Sequence, residues 1–139
     1  MKYGKRSKLR LALGKIYYFW KRRLDWCLSG KRYAGRPDLG SHGGKLFPVV
    51  LVQHQSPLIR QLPQLELQWQ YNKIKNLRIA VGILNRTIIR PGEYFSFWFL
   101  LGKPTRAKGY LDGFVLRDGR VEPGTGGGLC QLSNLIYWM

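Results

Sequence analysis

Apolar residues in the first part of the chain recur at helical spacing. Six of them are separated by four, three, four, four and three positions: Leu9, Leu13, Ile16, Trp20, Leu24 and Cys27. This spacing places them on one face and predicts an amphipathic helix over residues 9–27. We favour a helix packed on the domain with its basic face in solvent. The alternatives are a helix lying on an anionic membrane surface and a nucleic-acid-binding arm, and no recognition motif supports the latter.

A second helical pattern follows in the middle of the chain. Ile74, Leu77, Val81 and Leu84 are spaced by three, four and three residues and predict a helix over residues 73–85. Asn72, directly before this pattern, is a plausible N-cap. The linking segment 29–45 is rich in glycine and is predicted to be a loop or linker.

Short apolar runs separated by turn residues predict the strands. Residues 47–52 form one such run. Residues 87–89 and 94–98 flank Pro91-Gly92, which suits a type II turn, and residues 114–116 and 121–122 flank Asp118-Gly119. The chain is therefore predicted to be α+β, a single mixed domain of short hairpins and helices with an N-terminal basic amphipathic helix. We divide it into a basic helix with a glycine-rich linker (residues 1–45) and a domain (residues 46–139).

Positive charge is concentrated near the amino terminus. The chain has 24 Lys and Arg against 7 Asp and Glu, a formal net charge of +17. Residues 1–36 carry twelve of these basic residues against Asp25 alone. Such a field favours anionic partners, and we expect an anionic envelope polymer or a membrane surface rather than a specific nucleic acid.

The amino terminus lacks the pattern of an exported protein. Its apolar stretch, residues 11–20, is interrupted by Lys15 and followed by three basic residues, without a small-residue cleavage site. No apolar run has the twenty or so residues that span a membrane. We therefore expect a cytoplasmic protein without a cleavable signal peptide, with peripheral attachment to a membrane as the alternative.

The strongest candidate for chemistry is Cys130, which follows three glycines at residues 126–128. Glycine adopts positive φ at little cost, so the run can turn the chain into a helix starting near Leu129. Cys130 would then lie in the first turn, where free N–H groups and the helix dipole stabilise a thiolate. The alternative is a small buried residue where the glycines allow close packing.

The other candidate site residues surround this cysteine. A thiol nucleophile needs a base, and the only histidines are His42 and His54, both in loop-like sequence. Gln131 either donates a hydrogen bond to an oxyanion or faces solvent. The candidate ligand-binding residues are Gly126, Gly127, Gly128 and Ser133. A glycine run at a helix start can cradle an anion, although this one lacks the order of a P-loop.

Metal and cofactor chemistry find no support in the sequence. Cys27 and Cys130 are about a hundred residues apart, and no Cys/His cluster has metal-ligand spacing. We therefore expect no metal ion, no cofactor and two free thiols.

Several motifs, taken together, resemble the VanW family. They are residues 76–80 (NLRIA), 90–97 (RPGEYFSF), 102–105 (GKPT), 108–111 (KGYL) and 126–133 (GGGLCQLS). The similarity runs from about residue 71 to the end, and residues 55–60 and 4–34 resemble the shorter members. The family takes its name from an accessory gene of some vancomycin-resistance clusters, and its biochemical activity is unassigned.

The resemblance implies a cell-envelope and glycopeptide-resistance context. It also implies a further segment with a Glu-Arg pair and histidines after the helix that follows residues 126–133. We therefore expect a C-terminally truncated member whose domain is incomplete. One alternative function is a thiol-dependent hydrolase or transferase acting on an envelope substrate through Cys130. The other is a basic binding module for an anionic wall polymer or membrane surface. For this chain we rank inactivity or binding above catalysis.

Overall fold

Helices and short strands alternate along the chain, and the computed structural model describes residues 7–36, 48–59, 67–117 and 119–139. The helices are α1 (Lys8–Leu28), α2 (Leu67–Leu84), α3 (Phe97–Leu101) and α4 (Leu129–Trp138). The strands are β1 (Arg32–Tyr33), β2 (Glu93–Tyr94), β3 (Asp112–Arg117) and β4 (Arg120–Thr125), and a 3₁₀ turn spans Arg106–Lys108. The predicted α+β class is confirmed.

Helix α1 forms where the apolar spacing predicts it, but its stripe does not pack on the domain. Ser7 caps its start, because the Ser7 hydroxyl accepts a hydrogen bond from the Arg10 N–H at 3.3 Å. The stripe residues Leu9, Leu13, Ile16, Trp20 and Leu24 are all exposed. The interpretation of a packed stripe is therefore wrong. The reason is that α1 meets the domain through Trp26, which projects about 100° around the helix from Cys27.

Helix α2 crosses the centre of the domain and contacts β3, α3 and α4. It starts six residues before the position that the sequence predicts, so Asn72 is not its N-cap. The Asn72 amide instead donates a hydrogen bond to the Asp112 carbonyl at 2.8 Å. The buried core lies beside α2 and comprises Ala80, Leu101, Tyr110 and Leu129. Asn72 thus makes a tertiary contact between α2 and β3 instead of the predicted N-cap.

The hairpin at Asp118-Gly119 is confirmed. Strands β3 and β4 pair antiparallel from Asp112 opposite Thr125 to Arg117 opposite Arg120. Gly119 has a φ of +76°, a conformation that glycine adopts without strain. Residue 118 itself lies outside the described residues.

The hairpin predicted at Pro91-Gly92 is wrong, although its turn forms. The Glu93 N–H donates to the Arg90 carbonyl at 3.0 Å, and Gly92 has a φ of +80°. The residues after the turn form β2, which pairs in parallel with β1 about sixty positions earlier. Ile88, before the turn, bridges to Gly35. A strand partner distant in sequence has therefore replaced the adjacent one, and residues 97–101 form α3 instead of a strand.

The strand predicted over residues 47–52 is also absent from the described part of that segment. Residues 48–52 are exposed and have no strand partner in the part of the chain that the structure describes, and residue 47 lies outside that part. β1, by contrast, lies inside the segment predicted to be a linker, and Ala34 directly after it is fully buried. The linker residues that follow α1 thus contribute to the sheet and the core.

Candidate functional site

The glycine run connects β4 to α4 and is held by the backbone of its neighbours. The N–H groups of Gly126, Gly127 and Gly128 donate to the carbonyls of residues 111, 124 and 114 at 3.0, 3.0 and 3.1 Å. Gly126 and Gly128 have φ values of +80° and +93°, which disfavour residues with a side chain. An anion in this loop would have to compete with three carbonyl oxygens for these N–H groups.

Close packing also requires glycine at these positions. A Cβ on Gly127 would overlap the backbone of Gly113, and one on Gly126 would lie 2.6 Å from Cβ of Pro104. A Cβ on Gly128 would overlap the aliphatic stem of Lys73 on α2. The run therefore lets the start of α4 approach both the hairpin and α2.

Asn76 on α2 connects the glycine run to the residue directly before β3. Its side chain is fully buried, and Nδ2 donates to the carbonyls of Leu111 and Gly127 at 2.9 and 3.0 Å. Oδ1 accepts the Leu111 N–H at 2.8 Å. We did not predict a role for Asn76 from the residues. The available signal was a polar side chain directly beside the apolar stripe of α2, in the first of the family-like motifs.

Cys130 is the second residue of α4, so the predicted helix start near Leu129 is confirmed. Its side chain is exposed, and its thiol is free, as is that of Cys27. In the described part of the chain, no hydrogen bond reaches the Cys130 sulfur. The Ser133 hydroxyl donates to the Cys130 carbonyl at 3.0 Å, an ordinary contact within one helical turn. A nucleophilic role for Cys130 and a ligand-binding role for Ser133 stay predictions.

Gln131 faces the segment of residues 48–59 rather than solvent. Its amide donates to the Ser56 hydroxyl at 3.2 Å and the Pro57 carbonyl at 3.4 Å. The ammonium group of Lys73 donates to the carbonyl of Leu58. Gln131 and Lys73 therefore hold this segment against α4 and α2, so a Gln131 amide acting on an oxyanion would first have to leave Ser56 and Pro57.

A groove of about 740 Å³ lies between this segment, α2 and α4. His54 and Gln131 both line it, together with Arg78 and aliphatic side chains of the two helices. Cys130 does not line it, because residues 131, 132 and 135 define the groove-facing side of α4. His54 and Gln131 thus share a groove that Cys130 does not line. His42, the other candidate base, lies outside the described residues.

Two side chains next to the glycine run have shifted pKa values. The hydrogen bond from the Thr125 hydroxyl, with Arg106 adding a second bond and its charge, holds the pKa of Asp112 below its usual value. Burial raises the pKa of Tyr110, whose hydroxyl has no hydrogen-bond partner among the described residues. The Asp112 carboxylate, which joins β3, β4 and the 3₁₀ turn, is therefore ionised at neutral pH.

Across the described ranges, no three His, Cys, Asp or Glu side chains gather so as to hold a metal ion. No helix within those ranges is long and apolar enough to cross a membrane.

Residues 72–139 match the family described as VanW like protein. The matched segment contains Asn76, the hairpin of β3 and β4, the glycine run and α4, and so includes most of the residues that build the candidate site. This match covers just under half of the chain, and it confirms the resemblance to the VanW family seen in the motifs.

Two relatives give this similarity a context. The chain is 32% identical over 131 residues to the vancomycin B-type resistance protein VanW of Enterococcus faecalis (strain ATCC 700802 / V583), covering 94% of this chain and 44% of that protein. It is 32% identical over 62 residues to the uncharacterized protein YoaR of Bacillus subtilis (strain 168), covering 45% of this chain and 20% of that protein. The chain thus spans less than half the length of either relative. No solved structure is significantly similar to it.

Proposed function

We propose that this protein is a binding protein of the cell envelope that α1 holds at an anionic membrane surface. Its VanW domain would then act beside that surface in the glycopeptide-antibiotic context that the name of the Enterococcus relative indicates. The observation that carries the proposal is the exposed apolar stripe of α1. Leu13, Ile16 and Trp20 expose 58%, 57% and 58% of their surface, although their spacing is that of a buried face.

The charge on α1 favours an anionic membrane as the partner. Six basic residues lie on the helix, against Asp25 alone: Lys8, Arg10, Lys15, Lys21, Arg22 and Arg23. Each basic side chain near an anionic leaflet contributes about 1 kcal/mol. Burying an exposed leucine or isoleucine side chain contributes up to about 1.5–3 kcal/mol. The two contributions act on the same helix and together favour a membrane interface over a purely polar polymer.

Sedimentation with liposomes tests this proposal. We expect the protein to bind vesicles of phosphatidylglycerol and phosphatidylcholine, and to bind less as salt rises or as phosphatidylglycerol is removed. The double variant Leu13→Ser/Ile16→Ser should bind at least about tenfold more weakly, because it interrupts the stripe. Val50→Ser/Leu51→Ser is the matched control, since Val50 and Leu51 are exposed aliphatic residues outside α1. Binding that ignores the acidic-lipid content, or equal effects of both variants, would reject the proposal.

A second candidate function is thiol chemistry at Cys130 on an envelope substrate. The observation that favours it is the exposure of this free thiol in the first turn of α4. N–H groups at a helix start stabilise negative charge on a nearby sulfur. The absence of Cys130 from the groove that contains His54 gives this candidate less support than membrane binding.

A further inference from the structure

The junction between α1 and the domain contains a crevice of about 320 Å³. One wall is a face of α1 formed by Phe19, Arg22, Arg23 and Trp26, which are spaced by three, one and three residues. The opposite wall includes Trp98 of α3 and Lys103, which follows that helix. The crevice therefore combines three aromatic rings with three cations.

Aromatic contacts hold the walls in place. The rings of Trp26 and Phe99 meet edge to face, with centroids 5.6 Å apart. Phe99 stacks on Tyr33 at 4.6 Å, and Tyr33 belongs to β1, which pairs with β2. The Arg23 guanidinium lies 5.0 Å from the centroid of the Phe19 ring. The C-terminal half of α1 is thus fixed to the sheet, and Arg23 is directed along the crevice wall.

The lining of the crevice is complementary to an anion attached to an apolar body. Its described part includes Arg22, Arg23 and Lys103 but no carboxylate. Among the described residues, no acidic side chain forms an ion pair with any of the three. Arginine binds phosphate through two parallel hydrogen bonds, and lysine contributes a point charge. Aromatic walls accept the glycerol and upper acyl chain of a lipid, which a free phosphate lacks.

We propose that this crevice binds the phosphate of an anionic phospholipid while the adjacent stripe of α1 lies in the membrane surface. This inference rests on the proposed membrane function, because Phe19 and Arg23 directly flank Trp20 and Leu24 of the stripe. A lipid at the edge of the stripe would place its headgroup within reach of Arg22, Arg23 and Lys103. The crevice would therefore add headgroup recognition to an otherwise general attraction between a basic helix and an acidic surface.

The test uses the full chain and dihexanoyl phosphatidylglycerol below its micelle concentration, titrated by calorimetry. Lys103→Gln removes a crevice cation without changing α1, and we expect it to weaken binding about fivefold or more. Lys75→Gln on α2 is the matched control, since it removes the same charge from an exposed site outside the crevice, and should change affinity less than about twofold. Leu13→Ser/Ile16→Ser should leave binding of this soluble lipid unchanged while reducing vesicle binding.

The possible outcomes separate this inference from the membrane function. Equal effects of Lys103→Gln and Lys75→Gln on affinity would contradict the proposal that the crevice binds the lipid phosphate. So would equal affinity for dihexanoyl phosphatidylcholine, or for inorganic phosphate, because the recognised group would then not be an anionic lipid. Specific binding of the soluble lipid without vesicle binding would support the crevice and reject the proposed function of the stripe.

Discussion

Asn76 and Leu111 form a reciprocal pair of hydrogen bonds. The Asn76 amide donates to the Leu111 carbonyl at 2.9 Å, and the Leu111 N–H donates to the Asn76 side-chain oxygen at 2.8 Å. A second N–H of the same amide reaches the Gly127 carbonyl. Since Asn76 is fully buried, water cannot take over these bonds, and one side chain thus satisfies three backbone groups of the loops around α2.

Asn76→Asp tests this arrangement with almost no change in volume. The substitution replaces the amide NH₂, which donates to two carbonyl oxygens, with a carboxylate oxygen that cannot donate. We therefore expect the free energy of unfolding to fall by about 3 kcal/mol or more. Urea denaturation measures the change. Asn134→Asp on the exposed face of α4 is the control and should cost less than about 0.5 kcal/mol. A cost below about 1 kcal/mol for Asn76→Asp would contradict the assigned bonds.

Gly127→Ala and Gly82→Ala should have opposite effects on stability. A Cβ at position 127 would overlap the backbone of Gly113, whereas one at position 82 in α2 would meet no atom within 4 Å. We expect Gly127→Ala to cost about 3 kcal/mol or more, or to prevent folding. Gly82→Ala should add about 0.5–1 kcal/mol, because alanine is the better helix former. Thermal denaturation of both variants checks the prediction, which fails if Gly127→Ala melts like the unsubstituted protein.

Thr125→Val should raise the pKa of Asp112 toward its usual value. The Thr125 hydroxyl bond is the largest cause of the lowered pKa, and valine cannot donate it. A carboxyl with a depressed folded-state pKa stabilises the fold above its unfolded pKa of about 3.9 and loses that contribution as pH falls through the folded value. Thr125→Val should therefore reduce the loss of stability on acidification below about pH 4.

Carbon NMR of the Asp112 carboxyl over an acid titration measures this pKa directly. Thr105→Val is a suitable control, because the Thr105 hydroxyl does not cap the 3₁₀ turn that follows it. An identical Asp112 pKa in both variants would show that Thr125 does not hold it down.

Cys130 should react faster than Cys27 with iodoacetamide if the thiol hypothesis holds. Both thiols are free and exposed, so the second cysteine is an internal reference in the same chain. Charge stabilisation at a helix start corresponds to about a two- to fivefold rate difference, which peptide mass spectrometry over a time course resolves. Equal alkylation rates of Cys130 and Cys27 would contradict the hypothesis of thiol chemistry at Cys130.

The sequence predicts those elements whose signals are local. The spacing of the stripe predicts α1, the glycine run predicts the start of α4, and Asp118-Gly119 predicts the hairpin between β3 and β4. The hairpin at Pro91-Gly92 fails because a turn signal does not identify the partner of the strand that follows it. β2 pairs with β1, and no local pattern specifies a parallel partner that far away.

The candidate site is less predictable because its residues act through tertiary contacts. Asn76 and Gln131 look like surface residues of amphipathic helices, and only the fold places carbonyl groups within reach of their amides. The exposure of α1 could not be deduced from its stripe, since the same spacing occurs in packed helices. Trp26 determines which face of α1 lies against the domain, and its partner Phe99 is more than seventy residues away.

The long-range bonds of α2 and α4 also set the order in which the chain can fold as it is synthesised. Gly127, which pairs with Asn76, is synthesised 51 residues after it, and Gln131, which pairs with Ser56, is synthesised 75 residues after it. At ribosomal rates of about 5–20 residues per second, Asn76 remains without that partner for roughly 3–10 s. During this time a nascent α2 exposes its apolar face, which is the kind of surface that chaperones bind. The buried interior of this domain can therefore form only after the residues around Gly127 have been synthesised.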